Sequence, residues 1–119
     1  MEMMDVPRLH HEQLDAYRAA VEFLGLAAGI SEDFVRGYGS LADQLRRASL
    51  SIPLNIAEGY GKRSIADRSR YYDIARGSAH ECGAVVDAAR ALGMIKDDHF
   101  GHAKQLLHRI ISMLVKMTS

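Results

Sequence analysis

Four stretches of this chain carry apolar residues at alternating steps of three and four. That spacing constrains the fold more than any other feature, because it marks helices that each bury one seam. Leu14, Tyr17, Val21, Leu24 and Ala28 form the first seam, which Gly29 and the SEDF that follows interrupt. Leu41, Leu45, Ala48, Ile52 and Asn55 form the second, ending at Gly59. Tyr72, Ala75, Ala79, Cys82, Val86 and Ala89 form the third, with an adjacent stripe of Tyr71, Ile74, Ser78, Val85, Ala88 and Leu92. Phe100, Ala103, Leu107, Ile110, Leu114 and Met117 form the fourth. No segment shows the alternation of a strand, and no internal repeat is present.

The boundaries carry their own chemistry. Ser64 is placed to cap the third helix, with Asp67 three residues on in a capping-box-like arrangement. Gly93 suits the left-handed position after Leu92, with Ile95 at hand for the accompanying apolar contact. Asp97 is placed to cap the fourth helix, where its charge meets the positive end of the macrodipole. Short connections make neighbouring helices antiparallel. The expectation is an all-α, antiparallel up-and-down four-helix bundle over residues 10–119, preceded by a flexible segment, residues 1–9. In the fourth helix Leu106, Ile111 and Val115 lie beside the main seam and suggest a second buried surface, against another subunit.

At 119 residues the chain is long enough for one domain with its own core. The acidic start, MEMMD, lacks the basic and apolar regions of a secretory signal, and no run is apolar enough to span a membrane. The single cysteine, Cys82, excludes an intramolecular disulfide and suits a reducing compartment, so a cytoplasmic protein is expected.

The second helix contains residues that a purely structural core helix does not need. Pro53 removes the hydrogen bond to the Ser49 carbonyl and should kink the axis. Asn55 sits on the seam, and Gln44, Arg47, Ser51 and Glu58 form a polar stripe beside it. Glu81 interrupts the apolar stripe of the third helix. These positions suggest a buried polar network of Asn55, Glu58, Ser78 and Glu81, closed by Arg47 or Arg76. Such a network either fixes register and partner choice or supplies a carboxylate pair for acid/base or metal chemistry. The structural role is the expectation.

Enzyme motifs fail on inspection. GKRS, Gly61 to Ser64, lacks the first glycine and the Ser/Thr of a phosphate loop, since Ile56 and Arg63 stand in their places. The run from His11 ends in Asp15 where a zinc protease needs its second histidine. No Glu-x-x-His occurs, and His99, His102 and His108 have no carboxylate or cysteine cluster at ligand spacing. Neither a metal nor a cofactor is expected.

The pattern S-I-P-x-N-I-A-E-G-Y falls on Ser51, Ile52, Pro53, Asn55, Ile56, Ala57, Glu58, Gly59 and Tyr60. A-R-G-S-x-x-E falls on Ala75, Arg76, Gly77, Ser78 and Glu81. With its surroundings, from Gln44 to about Gly93, this stretch closely resembles the four-helix bundle proteins of the 23S rRNA intervening-sequence family. The resemblance implies an up-and-down bundle that assembles into a homo-oligomer, typically a pentamer, and no enzymatic activity. Some such proteins are encoded within insertions in bacterial 23S rRNA genes. Related accessory proteins of diversity-generating retroelements work with a reverse transcriptase and nucleic acid. Those look strongly basic, whereas this chain has no formal net charge at neutral pH.

Charge is nevertheless uneven. From Arg46 to Arg76 seven basic residues stand against three acidic ones, while Glu2, Asp5, Glu12 and Asp15 face only Arg8 at the start. The candidate nucleic-acid patch is Arg46, Arg47, Lys62, Arg63, Arg68 and Arg70. Tyr60 is available to stack on a base, and Gly59 and Gly61 expose backbone beside the cations. The function expected is a non-catalytic homo-oligomer that binds structured RNA or a nucleoprotein complex. The alternative is a scaffold whose partner is another protein, without nucleic-acid contact.

Overall fold

The structure is a computed structural model that describes residues 6, 7 and 9–118. Of the segment expected to be flexible, residues 1–5 and 8 lie outside the described residues, as does Ser119. A 3-10 turn, His10–Gln13, leads into α1 (Asp15–Glu32), α2 (Gly39–Tyr60), α3 (Ile65–Ala91) and α4 (Asp97–Thr118). These helices and the turn are the only regular elements among the described residues. None of the helices is long and apolar enough to cross a membrane.

The contacts define the topology. Arg47 faces Glu81 and Ser51 bonds Ser78, so early α2 meets late α3. Arg90 faces Asp97 and Lys104 reaches Asp87, which sets α3 against α4 in the same antiparallel way. Leu14, Tyr60, Ile65 and Met117 line one cleft, bringing together the start of α1, the end of α2, the start of α3 and the end of α4. Asp33 and Gly93 line another, at the opposite end. The chain is an up-and-down four-helix bundle in which α2 packs on α1 and α3, and α4 on α3 and α1.

The core follows the helical period. Phe23, Leu45, Ile52, Ile56, Val86, Cys82, Ile110 and Leu114 are fully buried. Each large side chain among them contributes on the order of 1.5–3 kcal/mol. The third seam is buried throughout, and the fourth packs inward with only Phe100 and Met117 partly covered. α1 differs from its expected seam. Its buried face is Ala16, Ala19, Ala20, Phe23, Ala27 and Ile30, whereas Val21 is exposed and Leu24 only half-buried. The sequence offers two neighbouring stripes, and the alanine-rich one lets α1 lie closer to its partners. The helix also runs past Gly29 to Glu32. One glycine costs about 1 kcal/mol, less than burying Ile30 returns.

Pro53 does not end α2, which continues to Tyr60 with Pro53 buried on its flank. The Ser49 hydroxyl donates to the Arg46 carbonyl one turn earlier. At the α2–α3 turn the Ser64 hydroxyl accepts the Asp67 amide at 3.1 Å, the expected cap. At the α3–α4 turn Gly93 has a φ of 71°. The Met94 amide donates to Ala89 and the Gly93 amide to Arg90, completing a Schellman pair. The apolar residue buried there is Met94, one position before the expected Ile95. Asp97 is the first residue of α4 rather than its cap; the Phe100 amide donates to the Lys96 carbonyl. Leu106 lies in the core of its own chain, so it does not belong to an outward second face of α4.

Gly59 is buried against α3 instead of exposing its backbone. A Cβ on Gly59 would lie 2.9 Å from Cε1 of Tyr72 and 3.0 Å from Cβ of Tyr71. Gly77 is the opposite case: a Cβ there meets no atom within 4 Å. Gly59→Ala is expected to lower stability by about 1–3 kcal/mol through overpacking. Gly77→Ala is expected to raise it by up to about 1 kcal/mol. Urea unfolding of the two variants checks both signs.

Candidate nucleic-acid interface

The α2–α3 turn gathers four of the six expected cations at one end of the bundle. Gly61 closes α2, with its amide donating to the Ala57 carbonyl, and Lys62 and Arg63 follow before the Ser64 cap. Arg68, on the first turns of α3, folds back so that its Nε donates to the Lys62 carbonyl at 2.7 Å. This bond braces the turn. Two tyrosine rings organise the cations above it. The Arg68 guanidinium lies 5.3 Å from the Tyr60 ring centre. Lys62 and Arg70 lie 5.2 and 4.6 Å from that of Tyr71. Each such contact contributes about 0.5–1 kcal/mol at an exposed site and leaves the cation's outer side free. Lys62 also lies 3.4 Å from Glu58, whereas Arg63 is exposed on the turn.

Arg46 and Arg47 stand apart from this cluster. The helical rise from Arg46 to Tyr60 at the end of α2 is about 21 Å. Arg46 pairs with Asp43 at 3.2 Å, and Arg47 with Glu81 at 4.0 Å. Within one chain the six cations therefore form two separate groups.

The expected polar network also divides. Its inner part is a short ladder in the α2–α3 groove. Asn55 donates through Nδ2 to the Ser51 carbonyl at 2.8 Å and to the Ser51 hydroxyl at 3.0 Å. The Ser51 and Ser78 hydroxyls share a hydrogen bond of 2.8 Å across the helices. The carboxylates are not part of it. Glu58 and Glu81 are exposed in the chain, at 53% and 47%, and the nearest basic group of each is a surface partner. Arg76 turns to Asp73 on its own helix. The expectation of a closed, buried carboxylate network is thus corrected: the helix rotation that buries Ile52 and Ile56 leaves Glu58 pointing outward. Ser51, legible in the sequence only as part of a stripe, is the residue that ties Asn55 to Ser78.

Tyr71 emerges as an organiser of the cations, a role that its place on an apolar stripe concealed by making it look like core. His102 lies 3.3 Å from Glu22 across α1 and α4, both exposed. Among the described residues no group of three or more His, Cys, Asp or Glu side chains converges as a metal site would require. Cys82 is buried, and burial, with a smaller contribution from Glu81, pushes its thiol up to about 12. The unfolded thiol ionises near 9, so the fold favours the protonated form. This contribution is complete below pH 9 and is lost as pH climbs from about 9 towards about 12. Cys82 should therefore resist thiol reagents at pH 8 in the native state and react at once in denaturant. A timed thiol titration with and without denaturant checks this.

A family model for the 23S rRNA-intervening sequence protein matches residues 12–116. Among solved structures, a protein of unknown function from the S23 ribosomal protein family of Bacteroides thetaiotaomicron shares the fold, with a TM-score of 0.80 and 19% identity. The match covers 87% of this chain and 98% of that one. No curated protein matches. With the four-helix architecture and a family match over nearly its whole length, this chain belongs to the 23S rRNA-intervening sequence protein family.

Proposed function

We propose that this protein is a non-catalytic homo-oligomer, a pentamer, that binds structured RNA or a nucleoprotein complex in the cytoplasm. The observation that carries this reading is the cluster of Lys62, Arg63, Arg68 and Arg70 around Tyr60 and Tyr71 at one end of the bundle. Cations interleaved with aromatic rings suit a phosphate backbone flanked by unstacked bases. The free amides at the start of α3 add to the positive potential. Repetition of a small patch around a ring raises avidity where several copies engage one RNA. Arg46 and Arg47 would then act as a second row along the outside of each subunit.

Support for assembly comes from the apolar surface a single chain leaves uncovered. Leu50 and Leu54, one turn apart on α2, are 46% and 58% exposed, and Ile74 on α3 is 44% exposed. The same residues favour the second reading, a protein-interaction scaffold without nucleic-acid contact.

Light scattering after size exclusion is expected to give about five times the 13.2 kDa chain mass; a monomer would overturn the oligomeric part. Fluorescence anisotropy against structured RNA across a salt series is expected to show affinity falling linearly with log salt. Reversing Lys62 and Arg63 to glutamate should cut affinity more than tenfold and flatten that slope by about 0.7–0.9 for each phosphate no longer neutralised. The oligomer should remain intact. Unchanged affinity would remove this turn as the site, and no RNA binding by the intact oligomer at low salt would leave the scaffold.

A further inference from the structure

Beside the basic turn lies a cleft of about 410 Å³, lined by Leu14, Tyr60, Ile65, Arg68, Ser69, Tyr72 and Met117. Its volume falls within the range of about 300–1,000 Å³ common for small-ligand sites. The polar side chains in its lining are one guanidinium and three hydroxyls, with no carboxylate among them. Arg68 is held by its Nε bond to the Lys62 carbonyl and by the Tyr60 ring, which leaves its two terminal amino groups without a hydrogen-bond partner among the described residues.

Tyr72 adds a second donor to the cleft. The residue is 4% exposed, its hydroxyl makes no hydrogen bond among the described residues, and that hydroxyl opens onto the cleft. The hydroxyl is therefore free to pair with whatever occupies the cleft. Burial raises its pKa, an effect that the nearby Arg68 charge opposes and Tyr60 reinforces. Tyr72 is therefore a neutral donor at physiological pH.

The apolar walls point to more than a bare ion. Ile65 lines the cleft and is 83% exposed, the highest value among the described large apolar side chains. It stands beside Leu14 and Met117, where a planar or aliphatic body can lie against it. Lys62 and Arg63, on the turn, and Arg70, two residues after Arg68, are the cations nearest to it in the chain. A strand anchored in the cleft by its end would run over these cations.

We infer that the cleft between Tyr60, Arg68, Ser69 and Tyr72 receives the phosphate-bearing terminal nucleotide of a nucleic-acid strand. The phosphate accepts hydrogen bonds from Arg68 and the hydroxyls, and the sugar or base packs on Ile65, Leu14 and Met117. This rests on the proposed nucleic-acid function and adds to it that the protein reads a strand end. Charge-assisted hydrogen bonds of this kind correspond to about a tenfold difference in affinity.

The test compares single-stranded RNAs of one sequence carrying a 5′-phosphate, a 3′-phosphate or only hydroxyl ends, by anisotropy with the full-length protein. One phosphorylated form is expected to bind about tenfold tighter than the hydroxyl form, and its identity names the end that is read. Tyr72→Phe and Ser69→Ala should each reduce that preference about threefold or more while leaving thermal midpoint and oligomer size unchanged; Arg68→Gln should abolish it. Equal affinity for all three RNAs would overturn the pocket while leaving the proposed function standing. A preference that survives Tyr72→Phe and Arg68→Gln would also overturn it, because Lys62 and Arg63 would then be reading the added charge. Equal competition by a carboxylate of similar size, such as benzoate, and by a nucleoside monophosphate would overturn the nucleotide assignment.

Discussion

The close approach of α2 and α3 at Gly59 is the constraint on which the rest of the structure depends. With no side chain at this position, the Tyr72 ring packs directly on the α2 backbone, where a Cβ would stand 2.9 Å away. That distance sets the register of the pair. Ser51 then meets Ser78, Arg47 faces Glu81, and the chain must turn tightly through Gly61 to Ser64. The tight turn brings Lys62 back under Arg68 and places Tyr60 and Tyr71 among the cations. Small residues at Ala75, Ala79 and Cys82 keep α3 compact enough for the contact to persist along the core.

The polar residues of α2 divide their labour by angle around the helix. The one facing the core, Ser49, is bonded to its own backbone. Those at the α2–α3 groove form the Asn55–Ser51–Ser78 ladder, which gives the pair a specific register at modest cost because every member has a partner. Those farther round, Glu58 and Arg47, reach solvent and make surface pairs. Exposed pairs of this type contribute about 0–1 kcal/mol, so their importance to the protein is more readily found in what meets the surface than in the stability of the chain.

A chain without net charge can still present a local cationic surface, since four cations gather at the α2–α3 turn against Glu58 and Asp67. The acids of α1 lie on a different helix from the α2–α3 turn, and screening over about 8–10 Å in physiological salt makes the nearest charges dominate. The turn thus combines a braced guanidinium, two ring-supported cations, an exposed arginine and a cleft whose polar side chains donate. The turn follows directly on the close contact of Gly59 with Tyr72, so the proposed recognition surface adjoins a tightly packed part of the core.

The family pattern, the four helices, the seams of α3 and α4, the Ser64 cap and the glycine turn at Gly93 were all legible in the sequence. They depend on local periodicity and on backbone chemistry that a few neighbouring residues decide. The tertiary structure alone decided which of two adjacent stripes of α1 faces inward, since both Leu24 and Phe23 satisfy a helical period. It decided that Glu58 and Glu81 lie outside while Ser51 links Asn55 to Ser78. It also separated Arg46 and Arg47 from Lys62 and revealed the cleft around the unpartnered Tyr72 hydroxyl. Each of these depends on the rotation and spacing of helices against one another, and that is set by how side chains pack across the interfaces between them.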